Sequence, residues 1–440
     1  MLRHHWVTAG TTSGIHGQAA SRKGVPVRIG LLSQWYDPEP GPAALPGVLA
    51  RRLRARGHDV QILTGLPNYP TGQLASGYTM VPRMDERVDD IDIRRVALYP
   101  NHDSSPVRRL ANYASFGASA ALLGTNVLRN VDAVWVNYSP ITVAWPMWLT
   151  RLLHRVPCVT HVLDLWPDTL FAGGFARQGK AARAVEPILR AWCRGMYAAS
   201  DAVAYISPGV GKVLESRGVP RRKLHYVPMW ADEEIFRPTR RNLRSELGIT
   251  DDQIVLLYAG ALGEAQGLAT LIDACGQVRD PRFLCLIAGS GIAEHGLRDR
   301  AERSGTTNVR FLGRVPQTQM TELLATGDIS YISLRTHGLS CITMPSKTQS
   351  TLAAGRPLLV AAEGDVAATV LESGAGFVVR PDDVAGIADA IAQACALGRV
   401  GLEAIGLRGR EYYRRTFSAE QGAATIERLL QRAATRRAGR

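Results

Sequence analysis

The 440-residue sequence predicts an α/β protein with two doubly wound, parallel-sheet domains that face each other across a cleft. Short apolar runs of the buried-strand kind alternate with helical patterns along most of the chain, which indicates βαβ units and a parallel sheet. The alternation restarts near residue 230, after a proline-bounded crossing. A chain of this length is also long for a single hydrophobic core.

The predicted first domain, residues 25–230, opens with the strand VPVRIGLLSQ. A helix follows, because apolar residues recur at helical spacing from Leu45 to Leu53, and Gly57 ends it. The strand HDVQILTG comes next. Three further apolar runs continue the strand series: VDAVWVNYS, VPCVTHVLD and DAVAYISPG.

The predicted second domain, residues 231–415, has its own strand set separated by helical stretches. Its strands are QIVLLYAGAL, FLCLIAGSG, NVRFLGRV, DISYISLR, RPLLVAAE and GAGFVVRP. In open parallel sheets, ligands bind beyond the carboxyl ends of the strands. The loops after these strands are therefore where binding and catalytic residues are expected.

The net charge of +13 is the strongest compositional signal. It indicates anionic partners, which are nucleic acid, a membrane surface or phosphorylated small molecules. Nucleic acid is not expected, because the sequence has no zinc knuckle, RNP-type aromatic motif or obvious helix-turn-helix. No apolar run approaches the ~20 residues that a membrane span needs, so any membrane contact is predicted to be peripheral and with anionic lipid.

The predicted location is the cytoplasm, including the inner face of the plasma membrane. The six cysteines form no C-x-x-C pair and lie mostly in apolar segments, as in reduced proteins. Residues 1–24 lack the apolar stretch of a signal peptide and are interpreted as a mobile extension or a misassigned start.

Glycine-bearing turns follow three successive strands of the second domain. Gly260 and Gly263 follow the first strand, Gly289 and Gly291 the second, and Gly313 the third. Each turn alone is more simply a tight strand-to-helix connection, and the spacing is not the G-x-G-x-x-G of dinucleotide-binding proteins. Together they favour a backbone-lined nucleotide pocket, because glycine lets the main chain approach a ligand.

The segment MPSKTQSTLAAG predicts a helix whose start binds phosphate. Pro345 suits the first helical turn, where its missing N–H is not needed. Lys347 adds positive charge at the positive end of the helix dipole, which is unfavourable unless an anion lies nearby. The alternative is a surface lysine with a neighbouring carboxylate.

The segment THVLDLWPDTLF places polar and aromatic residues together near a strand end: His161, Asp164, Trp166, Pro167 and Asp168. A single buried histidine is more often structural than catalytic. A histidine, two carboxylates and a tryptophan in one loop form a better candidate site. Both interpretations stay open on the residues alone.

The pair Asp90 and Asp92 matches the D-x-D pattern of some metal-dependent glycosyltransferases. A turn at Asp89 and Asp90 before the strand IDIRRVALY is the simpler interpretation, because no third ligand accompanies them. No metal site is predicted.

In combination, these segments resemble bacterial glycosyltransferase family 4, the retaining two-Rossmann-domain (GT-B) class, and within it the branch that builds O-antigen, colanic acid and capsule. The resemblance runs from about Val27 to Leu430 and depends on the order and spacing of several motifs. They are SQWYDPEPGPAA, LTGLPNYPTG, RRVALYPNHDSSPVRRLANYASF, DLWPD, VPMWADEEIFRP, YAGALGEAQGL, AGSG, FLGRVP and MPSKTQSTLAAGRPLL.

The resemblance implies that the second domain holds a nucleotide sugar, with UDP as the expected nucleotide. Glycines would approach the diphosphate and line the nucleotide pocket, the backbone at Arg314 would meet the base, and Lys347 would face the phosphates. The implied donor-binding residues are Gly41, Gly260, Gly263, Gly289, Gly291, Arg314, Val315, Ser346, Lys347, Gln349 and Ser350.

The resemblance also implies an acceptor side in the first domain and a final helix, residues 416–432, that crosses back to it. The implied acceptor-side residues are Asn101, His102, Arg108 and Arg109. The implied catalytic residues are His161 and Asp164, which would orient the donor sugar or the acceptor hydroxyl, and Lys347. The departing diphosphate takes the acceptor proton in this class, so neither a protein nucleophile nor a metal or other cofactor is expected.

Ser350 departs from the family pattern. Many relatives have paired glutamates eight positions apart, and the second binds the ribose hydroxyls; these positions are Ile342 and Ser350 here. Gln349 and Ser350 can still hydrogen-bond a ribose, although a neutral pair binds about half as strongly as a carboxylate. Weak donor binding, a different donor and a decayed enzyme are the three explanations.

The leading functional hypothesis is transfer of a hexosyl or N-acetylhexosaminyl group from a UDP-sugar to a cell-envelope glycan or a polyprenyl-diphosphate-linked acceptor. The alternatives are a transferase with a soluble secondary-metabolite acceptor, a non-catalytic nucleotide-sugar-binding partner of another transferase, and a UDP-sugar 2-epimerase of the same architecture. DLWPD and the acceptor-side motif favour transfer over epimerisation.

Overall fold

The computed structural model describes residues 26–40, 45–102, 105–172, 180–336 and 338–439. Within these ranges, the chain forms two α/β domains, each built on one sheet of mostly parallel strands. This confirms the predicted fold class. The predicted extension, residues 1–24, lies outside the described ranges.

The first sheet has eight strands. They are β1 Arg28–Leu32, β2 Asp59–Gly65, β3 Arg83–Val88, β4 Ile91–Val96, β5 Ala133–Tyr138, β6 Cys158–Val162, β7 Ala202–Tyr205 and β8 Leu224–Tyr226. Their order is β3-β4-β2-β1-β5-β6-β7-β8, and every pair is parallel except β3 with β4. The order reverses between β1 and β5, whose carboxyl ends therefore flank a crevice.

The second sheet has six strands, all paired in parallel. They are β9 Ile254–Ala259, β10 Phe283–Ala288, β11 Val309–Gly313, β12 Ile329–Ser333, β13 Leu358–Ala361 and β14 Gly376–Val379. Their order is β11-β10-β9-β12-β13-β14, which reverses between β9 and β12. Strands such as β10 are buried along their whole length because helices cover both faces of the sheet.

Helices connect the strands and cover the sheets. The α-helices are α1 Leu45–Ala55, α2 Pro106–Ser119, α3 Ala144–His154, α4 Asp168–Ala172, α5 Lys180–Ala199, α6 Pro208–Ser216, α7 Leu268–Gln277, α8 Glu294–Arg303, α9 Met320–Thr326, α10 Ser346–Ala353, α11 Asp365–Ser373, α12 Val384–Thr416 and α13 Ala419–Ala438. A π-helical turn spans Ala120–Gly124. Short 3-10 turns span Thr125–Leu128, Ile141–Val143, Arg221–Lys223, Glu264–Gln266, Gln317–Gln319 and Ser340–Ile342.

Helix α13 packs on the first sheet although it ends the chain. Ile426 and Leu430 are fully buried in the same core as Leu49 of α1 and Trp135 of β5. The Ser418 side chain caps the helix start. The first domain is therefore completed by residues from the far end of the sequence.

Contrary to the expectation that no apolar run approaches the length of a span, the helical stretch Val384–Ala438 is long and apolar enough to cross a membrane by length and composition alone. Gly398 interrupts α12 with a φ of 62° and a ψ of −179°. Apolar residues on both sides of this break, such as Ile387 and Ile426, pack inside the domain cores. We therefore interpret the stretch as part of the folded body.

The acidic pair of the D-x-D pattern lies at a hairpin. Asp89 and Asp90 have φ values of 51° and 59° and join the antiparallel strands β3 and β4. This confirms the turn interpretation. The edge strand β3 escaped sequence analysis because its residues, RMDERV, are mostly charged and mostly exposed.

Candidate active site

The carboxyl ends of the strands in both sheets lie around a cavity of about 450 Å³ between the domains. The first domain contributes Asn137 from β5, with Ser139 just after that strand, and Asp164 from the loop after β6. The second domain contributes Ser346 and Gln349 from the first turns of α10. The predicted cleft is therefore present, and the two domains share it.

A smaller cavity of about 200 Å³ lies within the second domain, beside the interdomain one. Gly260, Ser346, Lys347 and Ser350 line it, so four residues of the predicted donor site come together there. Ser346 lines both cavities. The two cavities therefore meet at the start of α10.

Lys347 lies directly against the glycine turn that follows β9. A Cβ added to Gly260, whose φ is 151°, would stand 2.5 Å from the Lys347 Nζ atom. Nζ is 4.0 Å from the centre of the Tyr258 ring, and burial lowers the lysine pKa to about 8. Among the described residues, Lys347 forms no ion pair, so the neighbouring carboxylate of the alternative interpretation is not found there.

Gln349 and Ser350 face different cavities, because adjacent helical residues point about 100° apart. Gln349 is buried and lines the interdomain cavity, and its Oε1 atom has no hydrogen-bond partner. Ser350 lines the smaller cavity with Lys347. The predicted pair therefore divides between the two cavities.

The glycines after β10 allow two turns to pack together. A Cβ on Gly289 would stand 1.8 Å from the Gly260 carbonyl oxygen, and one on Gly291 would stand 2.4 Å from that of Leu262. The Leu262 N–H donates to the Ser290 carbonyl oxygen at 3.0 Å. The close contact between the two backbone turns therefore explains why glycine occupies both positions, with no ligand required. The donor-binding role of these glycines stays a prediction.

The other predicted donor residues lie away from the cavity walls or outside the residues that the structure describes. The Gly263 N–H donates to Gln266 Oε1 at 3.1 Å at the start of a 3-10 turn. Arg314 is exposed, and Val315 packs against the apolar core beside it. Gly41 lies outside the described residues.

His161 lies within β6 and not in the loop after it, where it was expected. Its side chain is fully buried, with Nε2 at 2.8 Å from the Val227 carbonyl oxygen and the ring 6.0 Å from that of Trp135. Burial lowers its pKa to about 4, so the ring is neutral near pH 7. This geometry does not fit the substrate-orienting role predicted for His161, because the residue lines neither cavity.

Of the five residues predicted in this segment, Asp164 lines the interdomain cavity, beside its neighbour Leu163. Its Oδ2 atom accepts a hydrogen bond from Ser139 Oγ at 2.6 Å, and burial raises its pKa. Asp168 instead forms an ion pair with Arg217, and Trp166 is buried in the core. At this strand end, the carboxylate of Asp164 therefore remains the candidate site group.

Two of the four predicted acceptor-side residues line the interdomain cavity: His102 and Arg109. The His102 ring packs edge-on to Tyr69 at 4.8 Å, and burial, followed by the nearby Arg109, lowers its pKa. Asn101 is half-buried beside it, and Arg108 is exposed on the outer side of α2.

Comparison with known proteins gives two family matches in the order of the two domains. Residues 40–230 match the glycosyl transferase 4-like domain, and residues 253–396 match the glycosyl transferases group 1 domain. Together they span most of the chain. The chain belongs to this glycosyltransferase family.

Relatives extend the comparison over nearly the full length. WcaI of Escherichia coli (strain K12), a glycosyl transferase assigned to colanic acid biosynthesis, is 27% identical over 396 residues, which is 88% of this chain and 95% of WcaI. A GDP-mannose-dependent monoacylated alpha-(1-6)-phosphatidylinositol monomannoside mannosyltransferase of Corynebacterium glutamicum is 28% identical over 239 residues, 52% of this chain and 62% of the relative. The Anabaena protein HepE, solved with UDP and glucose, aligns with a TM-score of 0.62 and 16% identity, covering 92% of this chain and 99% of HepE. The structural likeness confirms the GT-B fold.

The glycosyltransferase cleft contains aromatic residues that sequence analysis did not single out: Trp35, Tyr69, Tyr113 and Trp230. All four belong to motifs that were noted for the family resemblance: SQWYDPEPGPAA, LTGLPNYPTG, RRVALYPNHDSSPVRRLANYASF and VPMWADEEIFRP. Trp35, Tyr69 and Trp230 lie in loops that follow strands, and this position was the available signal, whereas Tyr113 lies on α2.

Glu39 of the glycosyltransferase was also missed. It is buried, and its carboxylate accepts hydrogen bonds from the main-chain N–H groups of Tyr36 at 3.1 Å and of Asn68 and Tyr69 at 2.8 Å. Burial raises its pKa to about 7. Glu39 thus fixes the loop that presents Tyr69 to the cleft.

The described part of the glycosyltransferase contains no group of three histidine, cysteine, aspartate or glutamate residues placed to hold a metal ion.

Proposed function

We propose that the chain is a retaining glycosyltransferase that moves a sugar from a UDP-sugar to a lipid-linked cell-envelope glycan. The observation that carries the proposal is the position of Lys347. It is a largely buried cation at a helix start, placed against Gly260 and without a carboxylate partner among the described residues. Such a cation favours an anionic ligand, and a nucleotide sugar supplies one as its diphosphate.

The donor diphosphate would lie at the start of α10. Lys347 and the N–H groups of the first helical turn would face it, and Gly260 would leave room for it. In the reaction, the bond between the anomeric carbon and the diphosphate oxygen breaks. The acceptor hydroxyl oxygen bonds to that carbon on the same face, and its proton passes to the leaving diphosphate. Lys347 would stabilise the charge that develops on the leaving group.

The sugar and the acceptor would occupy the interdomain cavity. Three buried polar atoms on its walls have no hydrogen-bond partner: Asn137 Oδ1, Trp230 Nε1 and Gln349 Oε1. Buried polar groups are rarely left unpaired, so a hydroxyl-rich ligand would complete them. Aromatic side chains at the same walls suit the apolar faces of sugar rings. Asp164 is placed to accept a hydrogen bond from a sugar hydroxyl.

The donor nucleotide is the part of the proposal that needs a direct test. Relatives of the chain include a GDP-mannose-dependent enzyme, while HepE binds UDP. Thermal unfolding would be measured with UDP, GDP, ADP and their sugars, for the parent protein and for Ser350→Glu. A ligand at about 100 times its Kd stabilises by roughly 2.7 kcal/mol, which shifts Tm measurably.

We expect selective stabilisation of the parent by UDP or a UDP-sugar. Stabilisation by GDP or ADP alone would replace the UDP assignment. No response from the parent, with binding restored in Ser350→Glu, would indicate a chain that kept the fold and lost its donor.

We further propose that the acceptor is presented at the inner face of the plasma membrane. The net charge of +13 supports this, as do exposed apolar side chains on α2 and the π-helical turn, namely Val107, Leu110 and Leu122. After cell fractionation, the protein should sediment with the membranes at low salt and appear in the soluble fraction at high salt, because salt screens surface charge. Equal recovery in the soluble fraction at both salt concentrations would favour a soluble acceptor.

A further inference from the structure

A second basic cavity lies at the opposite end of the first sheet from the cleft, and its volume is about 500 Å³. It is bounded by Pro157 and Asp201, which precede strands β6 and β7. These are amino ends of strands, whereas the cleft lies at carboxyl ends. The cavity is therefore separate from the proposed active site.

Two helix ends supply the positive charges of this cavity. Helix α3 and the residue after it contribute Arg151, His154 and Arg155, and the end of α13 contributes Arg436 and Arg437. Among the lining residues, four arginines thus face one carboxylate, that of Asp201, a surplus of three positive charges. A further carboxylate near Arg437, that of Asp132, is paired with Arg28. Like charges held this close repel each other unless an anion neutralises them.

Half of these arginines are already engaged. Arg151 forms an ion pair with Asp201. Arg437 donates to the main-chain carbonyl oxygens of Val131 at 2.9 Å and His154 at 3.1 Å.

The side chains of Arg155 and Arg436 make no hydrogen bond or ion pair with any residue in the described part of the chain. Both are exposed at the rim of the cavity. The His154 Nε2 atom, which is buried, also lacks a hydrogen-bond partner. Two free guanidinium groups and an unpaired ring nitrogen therefore face the same space.

We propose that this cavity binds a phosphate group. The planar, forked guanidinium groups of Arg155 and Arg436 match phosphate oxygens, and His154 Nε2 supplies a further hydrogen bond. The phosphate belongs to a soluble phosphorylated molecule or to a lipid headgroup. Leu152 and Leu153, exposed at 76% and 59% next to the cavity, are placed to meet the apolar part of a lipid.

The test compares two double variants that change net charge equally. Arg155→Glu with Arg436→Glu alters the cavity. Arg240→Glu with Arg241→Glu serves as the control, because it alters two exposed arginines in the segment that connects β8 to β9. Inorganic pyrophosphate is titrated calorimetrically, and vesicles of phosphatidylglycerol or phosphatidylcholine are used in flotation. Thermal unfolding of all proteins checks that they are folded.

The proposed active site also takes a diphosphate, so each titration is repeated with Lys347→Ala. Pyrophosphate binding that survives Lys347→Ala belongs to the cavity. We expect the cavity variant to weaken this binding at least tenfold and the control variant less than twofold. Binding of pyrophosphate identifies a soluble ligand, and binding of phosphatidylglycerol vesicles alone identifies a lipid headgroup.

Equal weakening in both double variants would overturn the proposal, since it would show a general effect of net charge. Absence of binding to pyrophosphate and to both kinds of vesicle would overturn it as well. Loss of all pyrophosphate binding in Lys347→Ala, together with vesicle binding that the cavity variant leaves unchanged, would assign the phosphate to the cleft alone. The proposed sugar transfer at the cleft does not depend on whether the second basic cavity binds phosphate.

Discussion

Lys347 is a cation that meets an aromatic ring and a glycine turn instead of a carboxylate. Such a residue costs stability in the ligand-free protein. Burial lowers its pKa from 10.5 to about 8, so the charged form is less favourable in the folded state than in the unfolded one. Below about pH 8 the cost is fully present, and it disappears as the pH rises towards 10.5.

We therefore expect Lys347→Met to have opposite effects on stability and activity. At pH 7, the free energy of unfolding of the ligand-free protein should rise, by at most roughly 3 kcal/mol. This gain should shrink as the pH increases above about 8. The rate of sugar transfer should fall about 10- to 100-fold, because one charge-assisted contact with the leaving diphosphate is lost. Urea unfolding over a pH series and initial rates measure the two effects.

Lys212→Met is the matched control, because Lys212 is an exposed lysine on α6. It should change stability by less than about 0.5 kcal/mol and leave the rate unaltered. An unchanged transfer rate in Lys347→Met would show that this lysine does not contact the donor phosphates.

At the scale of elements, the second domain depends on how two strand-to-helix turns approach each other. The turn after β10 can lie against the turn after β9 because Gly289 and Gly291 have no side chains. Gly289 also has a φ of 143°, which residues with side chains rarely adopt. The glycines thus set the position of Gly260 and, through it, the space in front of Lys347.

Gly289→Ala should therefore destabilise the protein by more than about 2 kcal/mol, since the new methyl group would overlap the Gly260 carbonyl oxygen. Urea unfolding followed by tryptophan fluorescence measures the change. Gly296→Ala provides the control, because Gly296 lies in α8 with open space around it. That substitution should stabilise by about 0.5–1 kcal/mol. Similar effects in the two variants would contradict the close packing of the turns.

At the scale of the whole molecule, the two domains are joined by more than the crossing near residue 230. Helix α13 returns to the first sheet, where the Glu427 carboxylate lies 2.7 Å from His58 Nε2 and also pairs with Arg56. Gly422 lies against Trp230, whose other edge lines the cleft. The end of the chain thus supports the first-domain wall of the cavity.

Ile426→Ala should destabilise the first domain by about 2–5 kcal/mol, because it leaves a hole between α13 and the sheet. Hydrogen exchange should show lost protection in β1 and β5 and little change in the second sheet. Leu371→Ala, at a position 67% exposed on α11, should change protection in neither domain. Equal loss of protection in both sheets would mean that the domains unfold as one unit.

Local sequence determined much of this protein. Apolar runs predicted most strands of both sheets but not the charged edge strand β3, and the glycine turns and the start of α10 followed from residue chemistry within a few positions. These features depend on backbone preferences and on neighbours close in the chain, so the local pattern is sufficient to predict them. The order of the motifs likewise predicted the family.

Only the tertiary structure decided which side chains reach a common space. His161 and Asp164 are three positions apart, yet one is enclosed by the sheet and the other faces the cleft. Gln349 and Ser350 are adjacent and line different cavities. The arginines of the second basic cavity come from distant parts of the chain. Such neighbours depend on contacts between elements far apart in sequence, and no local pattern records them.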